Sequence, residues 1–241
     1  FTCDEEIGRG VDHIDLEQLG AVACYTLDGS GADTIDIETF SADLAIVNVV
    51  GKNIHPSIAK GKMVNALRAA SDFLARLPQN QLAPEATEQR EGFLHPYEIS
   101  GGVGNVRIKI LLRDFDTSAL ADHAQVLRAA AEETKHALPG IEFDIDIKYQ
   151  YRNMADGLAK DPRAVDCAKR ALEKLGATAE LAIVRGGTDG SRLTEMGLPT
   201  PNLSTGQHTP HSPLEWACLE EMVHSAEWIV AIAETWGEAG E

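Results

Sequence analysis

With 241 residues the chain can bury one large core or two smaller ones, and 44% hydrophobic with 24% charged residues is the balance of a folded globular protein. No run approaches the roughly 18 apolar residues of a membrane span, so no membrane partner is expected. The formal charge of -17, from 21 basic and 38 acidic side chains, repels a phosphate backbone and argues against nucleic acid as partner. The four cysteines are far apart with no C-x-x-C pair, so neither a disulfide framework nor a thiolate zinc site is expected. Reduced thiols and the lack of a basic-then-apolar leader at the start fit a cytoplasmic protein.

Taken in chain order, residues 1–39 hold two acidic clusters and the apolar run 21–27. The run reads as a buried strand that ends at Asp28, with Gly29, Ser30 and Gly31 as breakers. Residues 40–152 then carry a strand–helix–strand signal twice. Leu44, Ile46 and Val49 suggest a strand, and Met63, Leu67, Ala70, Leu74 and Leu77 recur at helical spacing. A Pro/Gln/Glu-rich loop follows over 78–96. Next comes a hairpin with its turn near Gly102 and Gly104, whose second arm alternates through Val106, Ile108, Ile110 and Leu112. A second helix uses Leu120, Leu127, Ala131 and Leu138, and the last strand alternates from Phe143 to Tyr151. Alternation with period two means a sheet covered on one face and wet on the other. The order βαββαβ is that of a ferredoxin-like unit, expected to form a domain of its own.

Residues 153–241 return to an α/β pattern. Asp161 and Pro162 open a helix that Gly176 closes. Residues 181–184 form a short, wholly apolar strand, which predicts burial on both faces within a parallel sheet. Ser212-Pro213-Leu214-Glu215 has the spacing of a capping box and predicts the start of a long amphipathic helix through Trp216, Leu219, Val223, Ala226, Val230 and Ala233.

Four constellations offer chemistry. In Asp4-Glu5-Glu6, neighbouring carboxylates point in different directions, so one can bind a metal while the other reaches a water; a solvated acidic turn is the plainer alternative. Asp28 ends a strand where ligands of open α/β sheets collect, although Asp before Gly is equally a turn former. His211 precedes a predicted helix cap, a junction suited to a zinc-binding imidazole; His208 competes with it, and surface histidines are commoner than ligands. In Arg185-Gly186-Gly187-Thr188-Asp189-Gly190 the glycines admit a ligand close to the backbone and Arg185 offers a fork for a carboxylate. That stretch has neither nucleotide-binding fingerprint, and a tight strand-to-helix turn explains it as well. His55 after one strand and Arg113 at the end of another are weaker signals of the same kind.

The segments Thr2-Cys3-Asp4-Glu5-Glu6-Ile7-Gly8-Arg9-Gly10, Tyr25-Thr26-Leu27-Asp28-Gly29, Asn53-Ile54-His55-Pro56, Arg113-Asp114-Phe115-Asp116, Arg185-Gly186-Gly187-Thr188-Asp189-Gly190 and Pro201-Asn202-Leu203 occur in the order seen in the peptidase T family. The chain resembles that family over nearly its whole length. The resemblance implies an α/β fold: part of a three-layer zinc-exopeptidase catalytic domain over 1–39 and 153–241, interrupted by a ferredoxin-like lid over 40–152. It implies a two-zinc aminopeptidase acting on tripeptides, with Glu5 as general base and Glu6, Asp28 and His211 as metal ligands. His55, Arg113 and Arg185 would hold the peptide, and the lid could pair two copies into a homodimer. The family also carries a His-x-Asp motif and a further bridging Asp upstream of the Glu-Glu pair. Neither exists here, so the resemblance implies a C-terminal portion without the N-terminal metal-binding segment, inactive alone and binding fewer zinc ions or none. The competing expectations are a non-catalytic ferredoxin-like binding or dimerisation module, and another di-zinc exopeptidase or amidohydrolase of the same clan.

Overall fold

The computed structural model describes residues 3–5 and 8–239, and the side chains of all of these but 239. Its elements in order are α1 (Leu16–Leu19), β1 (Thr26–Ser30), β2 (Thr34–Thr39), β3 (Ser41–Val50), α2 (Ala66–Arg76), β4 (Phe93–Gly101), β5 (Asn105–Asp114), α3 (Ala119–Ala137), β6 (Glu142–Tyr151), α4 (Ala155–Lys160), α5 (Arg163–Lys174), β7 (Glu180–Val184), α6 (Asp189–Glu195), β8 (Asn202–His208), β9 (Trp216–Ala217) and α7 (Leu219–Ala239). They form two compact units, one from residues 40–150 and one from 1–39 with 151–241.

In the unit of residues 40–150, the strands stand in the order β4-β5-β3-β6, the arrangement of a ferredoxin-like βαββαβ fold. Along β5, Val106, Ile108, Ile110 and Leu112 point inward and are fully buried, as their alternation predicts. Both helices lie on that face. α2 contributes Ala66, Ala69, Ala70 and Phe73, spaced to make one apolar stripe, and α3 adds Leu120, Ala124, Leu127 and Ala131. Asn65 caps α2 by accepting the Leu67 N–H at 2.9 Å, and Pro78 forces the preceding Leu77 into an extended conformation that stops it.

The other unit is built on a sheet ordered β1-β8-β2-β7, with β9 added to β8. β1 is parallel to β8, β2 is antiparallel to β8, and β7 is parallel to β2. Ile35 of β2 and Leu203 of β8 face α5 and α7, which bury Cys167, Ala168, Ala171, Leu172, Trp228 and Ile232 around them. Asp36 and Asn202, one position on in the same strands, turn to the opposite face, where α4 packs on β2 and α6. The fold is thus α/β, with the sheet between helical layers.

Three local expectations differ. The strand expected over 21–27 is displaced to Thr26–Ser30, because Gly29 does not break it. A Cβ there would come within 2.9 Å of the Leu203 carbonyl and the Ser204 nitrogen, so glycine lets β1 lie against β8. β7 is an edge strand that leaves Leu181 46% and Ile183 38% exposed, not a doubly buried one. The apparent capping box does not open a helix: Glu215 accepts the His211 backbone N–H, Trp216 and Ala217 pair with β8, and α7 starts only at Leu219.

Candidate functional site

Asp28 lies inside β1 on its exposed side. The Gln207 side chain of β8 donates to the Asp28 carbonyl at 2.6 Å and reaches its carboxylate at 3.4 Å. Next to it a buried polar chain crosses three strands. Thr26 Oγ1 donates to Asn202 Oδ1 at 2.9 Å, and Asn202 Nδ2 donates to Asp36 Oδ2 at 2.7 Å. Burial pushes the Asp36 carboxyl above the usual aspartate range; the hydrogen bond from Asn202 opposes the shift and the charge of Asp28 adds to it. Asp28 and Asp36 therefore feel each other's charge, which makes this part of the sheet receptive to a positive group.

His211 sits in the turn that follows β8, exposed and with φ 61°, a left-handed conformation uncommon for a residue with a side chain. The turn is held at several points. The Glu215 carboxylate takes the His211 N–H at 3.0 Å, Thr209 Oγ1 donates to the Leu214 carbonyl at 2.7 Å, and Leu214 N–H donates to Ser212 Oγ at 3.0 Å. His208, the competing histidine, is committed elsewhere: its Nε2 lies 2.6 Å from Glu221 and its ring stacks on Trp216 at 4.0 Å. β1 and β8 run parallel, so the His211 turn leaves β8 at the end toward which β1 also runs, with Asp28 midway along β1.

Glu5 follows Asp4, which has φ 63°, in a short turn closed by Gly8 N–H on the Glu5 carbonyl at 2.6 Å. Glu6, the expected partner of Glu5, is outside the described residues. Arg185 leaves the C-terminal end of β7, which runs antiparallel to β8 by way of β2, so its loop and that of His211 depart from opposite ends of the sheet. In residues 40–150, His55 is exposed and caps a short 3-10 turn, its Nδ1 2.7 Å from Ser57 Oγ. Arg113 is buried, and its guanidinium donates to the backbone carbonyls of Leu112 and Asp43 at 3.0 and 3.2 Å.

Among the described residues no three His, Cys, Asp or Glu side chains gather where they could hold a metal ion. Those residues therefore do not fit a zinc ion on their own. Nothing in the sequence pattern singles out Asp36 or its strand, and Asn202 appears there only within the Pro201-Asn202-Leu203 motif. In Thr34-Ile35-Asp36-Ile37-Glu38 the polar positions resemble a wet sheet face, and only the depth of Asp36, 6% exposed, sets it apart.

Compared with known proteins, the chain is 40% identical over 234 residues to a Peptidase T of Staphylococcus saprophyticus, covering 97% of this chain and 57% of that one. It is 39% identical over 238 residues to a Peptidase T of Shewanella pealeana, covering 99% and 58%. Over nearly its whole length the chain is similar to peptidase T. Residues 37–142 match the peptidase dimerisation domain. Among solved structures it resembles aminopeptidase PepT from Bacillus cereus with a TM-score of 0.78 and 27% identity, covering 97% of this chain and 62% of that one. The chain thus spans a little under three fifths of the length of the peptidase T relatives it matches. No helix among the described residues is long and apolar enough to cross a membrane.

Proposed function

We propose that this chain carries part of the site of a zinc-dependent, cytoplasmic aminopeptidase that releases the N-terminal residue of tripeptides. The observation that carries the reading is the parallel pairing of β1, which holds Asp28, with β8, which leads into the His211 turn, within a chain 40% identical to a peptidase T. In this proposal Glu5 is the general base that takes a proton from the attacking water and passes it to the leaving amine, and Glu6, Asp28 and His211 are metal ligands. The isolated polypeptide is proposed to be inactive. His55, Arg113 and Arg185 are proposed to hold the peptide; Arg113 has least to offer, its guanidinium already donating to two carbonyls.

The test places the 241 residues in the matching stretch of the Staphylococcus saprophyticus enzyme and assays tripeptides, dipeptides and N-acylated amino acids with zinc supplied. The chimera should hydrolyse tripeptides with a free amino terminus, lose about a hundredfold or more on Glu5→Gln, and lose zinc, measured by elemental analysis, on Asp28→Ala. A folded chimera that cleaves only N-acylated amino acids would point to an amidohydrolase instead. Full activity with Gln at position 5 would remove the base assignment. The match of residues 37–142 to the dimerisation domain supports a second, compatible reading, a homodimer formed through that unit, which the molar mass of the chimera from light scattering would check.

A further inference from the structure

The stretch that follows Glu5 is seated on α6. Val11, 1% exposed, packs with Leu193 of α6 and with Leu198 just beyond it, and Ile14, Leu16 and Cys24 close around them. Arg192 of α6 reaches the Asp12 carboxylate at 3.9 Å, which Arg9 also holds at 3.0 Å. At the head of α6 stands Asp189, only 5% exposed. A Cβ at Gly10 would fall 2.7 Å from the Asp189 carboxyl carbon and nearer still to both its oxygens. Gly10 does not adopt a left-handed φ, so its backbone conformation does not call for glycine. What bars a side chain there is the carboxylate. Gly10 directly follows the bonds that close the Glu5 turn, where Gly8 N–H donates to the Glu5 carbonyl at 2.6 Å and Arg9 N–H to the Asp4 carbonyl at 3.0 Å. An acidic residue in the first turn of a helix is common, because it complements the helix end. That ordinary role is met by an Asp turned to solvent and does not require burial against a glycine of another segment.

We propose that Asp189 is a positioning residue for Glu5: through its contact with Gly10 it fixes the turn that carries Glu5, and with it the approach of that carboxylate to the attacking water. This role rests on the reading above, in which Glu5 is the base. A misplacement of about 1 Å in a reacting group can cost about a hundredfold in rate, so a carboxylate that touches only the backbone of the turn can still govern the chemistry. The contact is a fit between a bare Cα and a carboxyl group, and each side can be changed alone. Gly10→Ala adds a Cβ where the carboxylate stands, and Asp189→Ala removes the carboxylate. Joined, the two changes give the new methyl the space the carboxyl group has left, so the pair should disturb the turn less than the two single effects added together.

Two measurements test this role. In the 241-residue chain, amide exchange at Gly8 and Arg9 is compared with exchange in β8. Gly10→Ala and Asp189→Ala should each speed it at least about tenfold at Gly8 and Arg9 and leave β8 unchanged. In the chimera described above, Asp189→Ala should lower kcat about ten- to hundredfold on a tripeptide with KM unchanged. Asp189→Asn, which keeps the shape pressed on Gly10, should recover most of that loss. Once Glu5 is replaced by Gln, Asp189→Ala should cost nothing further, because it acts through Glu5. Unchanged exchange at Gly8 and Arg9 in both single variants, or an equal rise in β8, would overturn the proposal. So would a loss on Asp189→Ala that persists in full beside Glu5→Gln. A chimera that cleaves no peptide even without these substitutions counts against the proposed function, and exchange alone then decides the role of Asp189.

Discussion

Trp228 gives the sharpest test of how the helical layer is held on its sheet. Its side chain is fully buried, touches the cluster built on Ile35 and Leu203, and donates its indole N–H to the Ala168 carbonyl of α5 at 2.9 Å. Trp228→Ala removes the largest buried side chain of that cluster, a change that costs about 3–5 kcal/mol where the cavity cannot collapse. The bond to the Ala168 carbonyl is lost as well; that carbonyl keeps its partner within α5, so this adds about 0.5–1.5 kcal/mol. Trp228→Phe keeps most of the apolar volume but loses the bond to that carbonyl, so about 0.5–1.5 kcal/mol should be lost. Urea unfolding followed by circular dichroism measures both, with the fluorescence of Trp236 as a reporter in the same unit. If both variants unfold at the wild-type midpoint, α7 is not anchored through this residue. If Phe and Ala cost the same, the hydrogen bond and not the volume carries the anchor.

Two further outcomes follow from the same sheet. Gly29→Ala drives a Cβ against the Leu203 and Ser204 backbone, a clash no rotamer relieves, and should cost about 1–3 kcal/mol in the same unfolding assay with faster amide exchange in β1. For Asp36, the folded carboxyl is held above the ordinary value of 3.8, so the folded form binds its proton more tightly than the unfolded chain. Its contribution is fully present below that ordinary value and is lost as pH rises through the folded pKa, the native state carrying a buried charge thereafter. Asp36→Asn, which can still accept from Asn202, should leave neutral-pH stability equal or higher and remove that part of the pH slope; a fall in stability at pH 7 with the slope unchanged would contradict it.

What was legible in the sequence was the part governed by local periodicity. The alternation of β5 and β6 and the stripes of α2 and α3 report a sheet with one covered face, and each element falls where its pattern puts it. What escaped depends on neighbours distant in the chain. Gly29 looks like a breaker until Leu203 is seen beside it, and the apolar run of β7 says nothing of whether a strand flanks it on one side or two. Ser212 and Glu215 have capping-box spacing, but Trp216 pairs with His208 across β8, which holds the segment extended and spends Glu215 on His211. Asp28 and His211 stood out as residue types in suggestive places. The buried link from Thr26 through Asn202 to Asp36 could not, because each member is a commonplace surface residue until the strand order brings them into one row.

The backbone adds an argument for where the chemistry lies. Left-handed φ values at residues with side chains cost free energy, about 1 kcal/mol or more each, and persist where surrounding contacts over-determine them, most often at functional sites. Among the described residues five non-glycines adopt them, and three are Asp4, Thr209 and His211. Asp4 sets the turn that presents Glu5, while Thr209 and His211 shape the turn after β8. Each of these turns carries internal bonds: Gly8 to Glu5 in the first, and Thr209 to Leu214 with His211 to Glu215 in the second. The two stretches are about 200 residues apart in the chain, and the backbone is constrained in both beside the side chains that residue type alone had singled out. Sequence spacing reports nothing about φ, so the strained backbone at these two turns is an observation separate from the motifs; Asp33 and Gln89 adopt the same conformation in turns elsewhere.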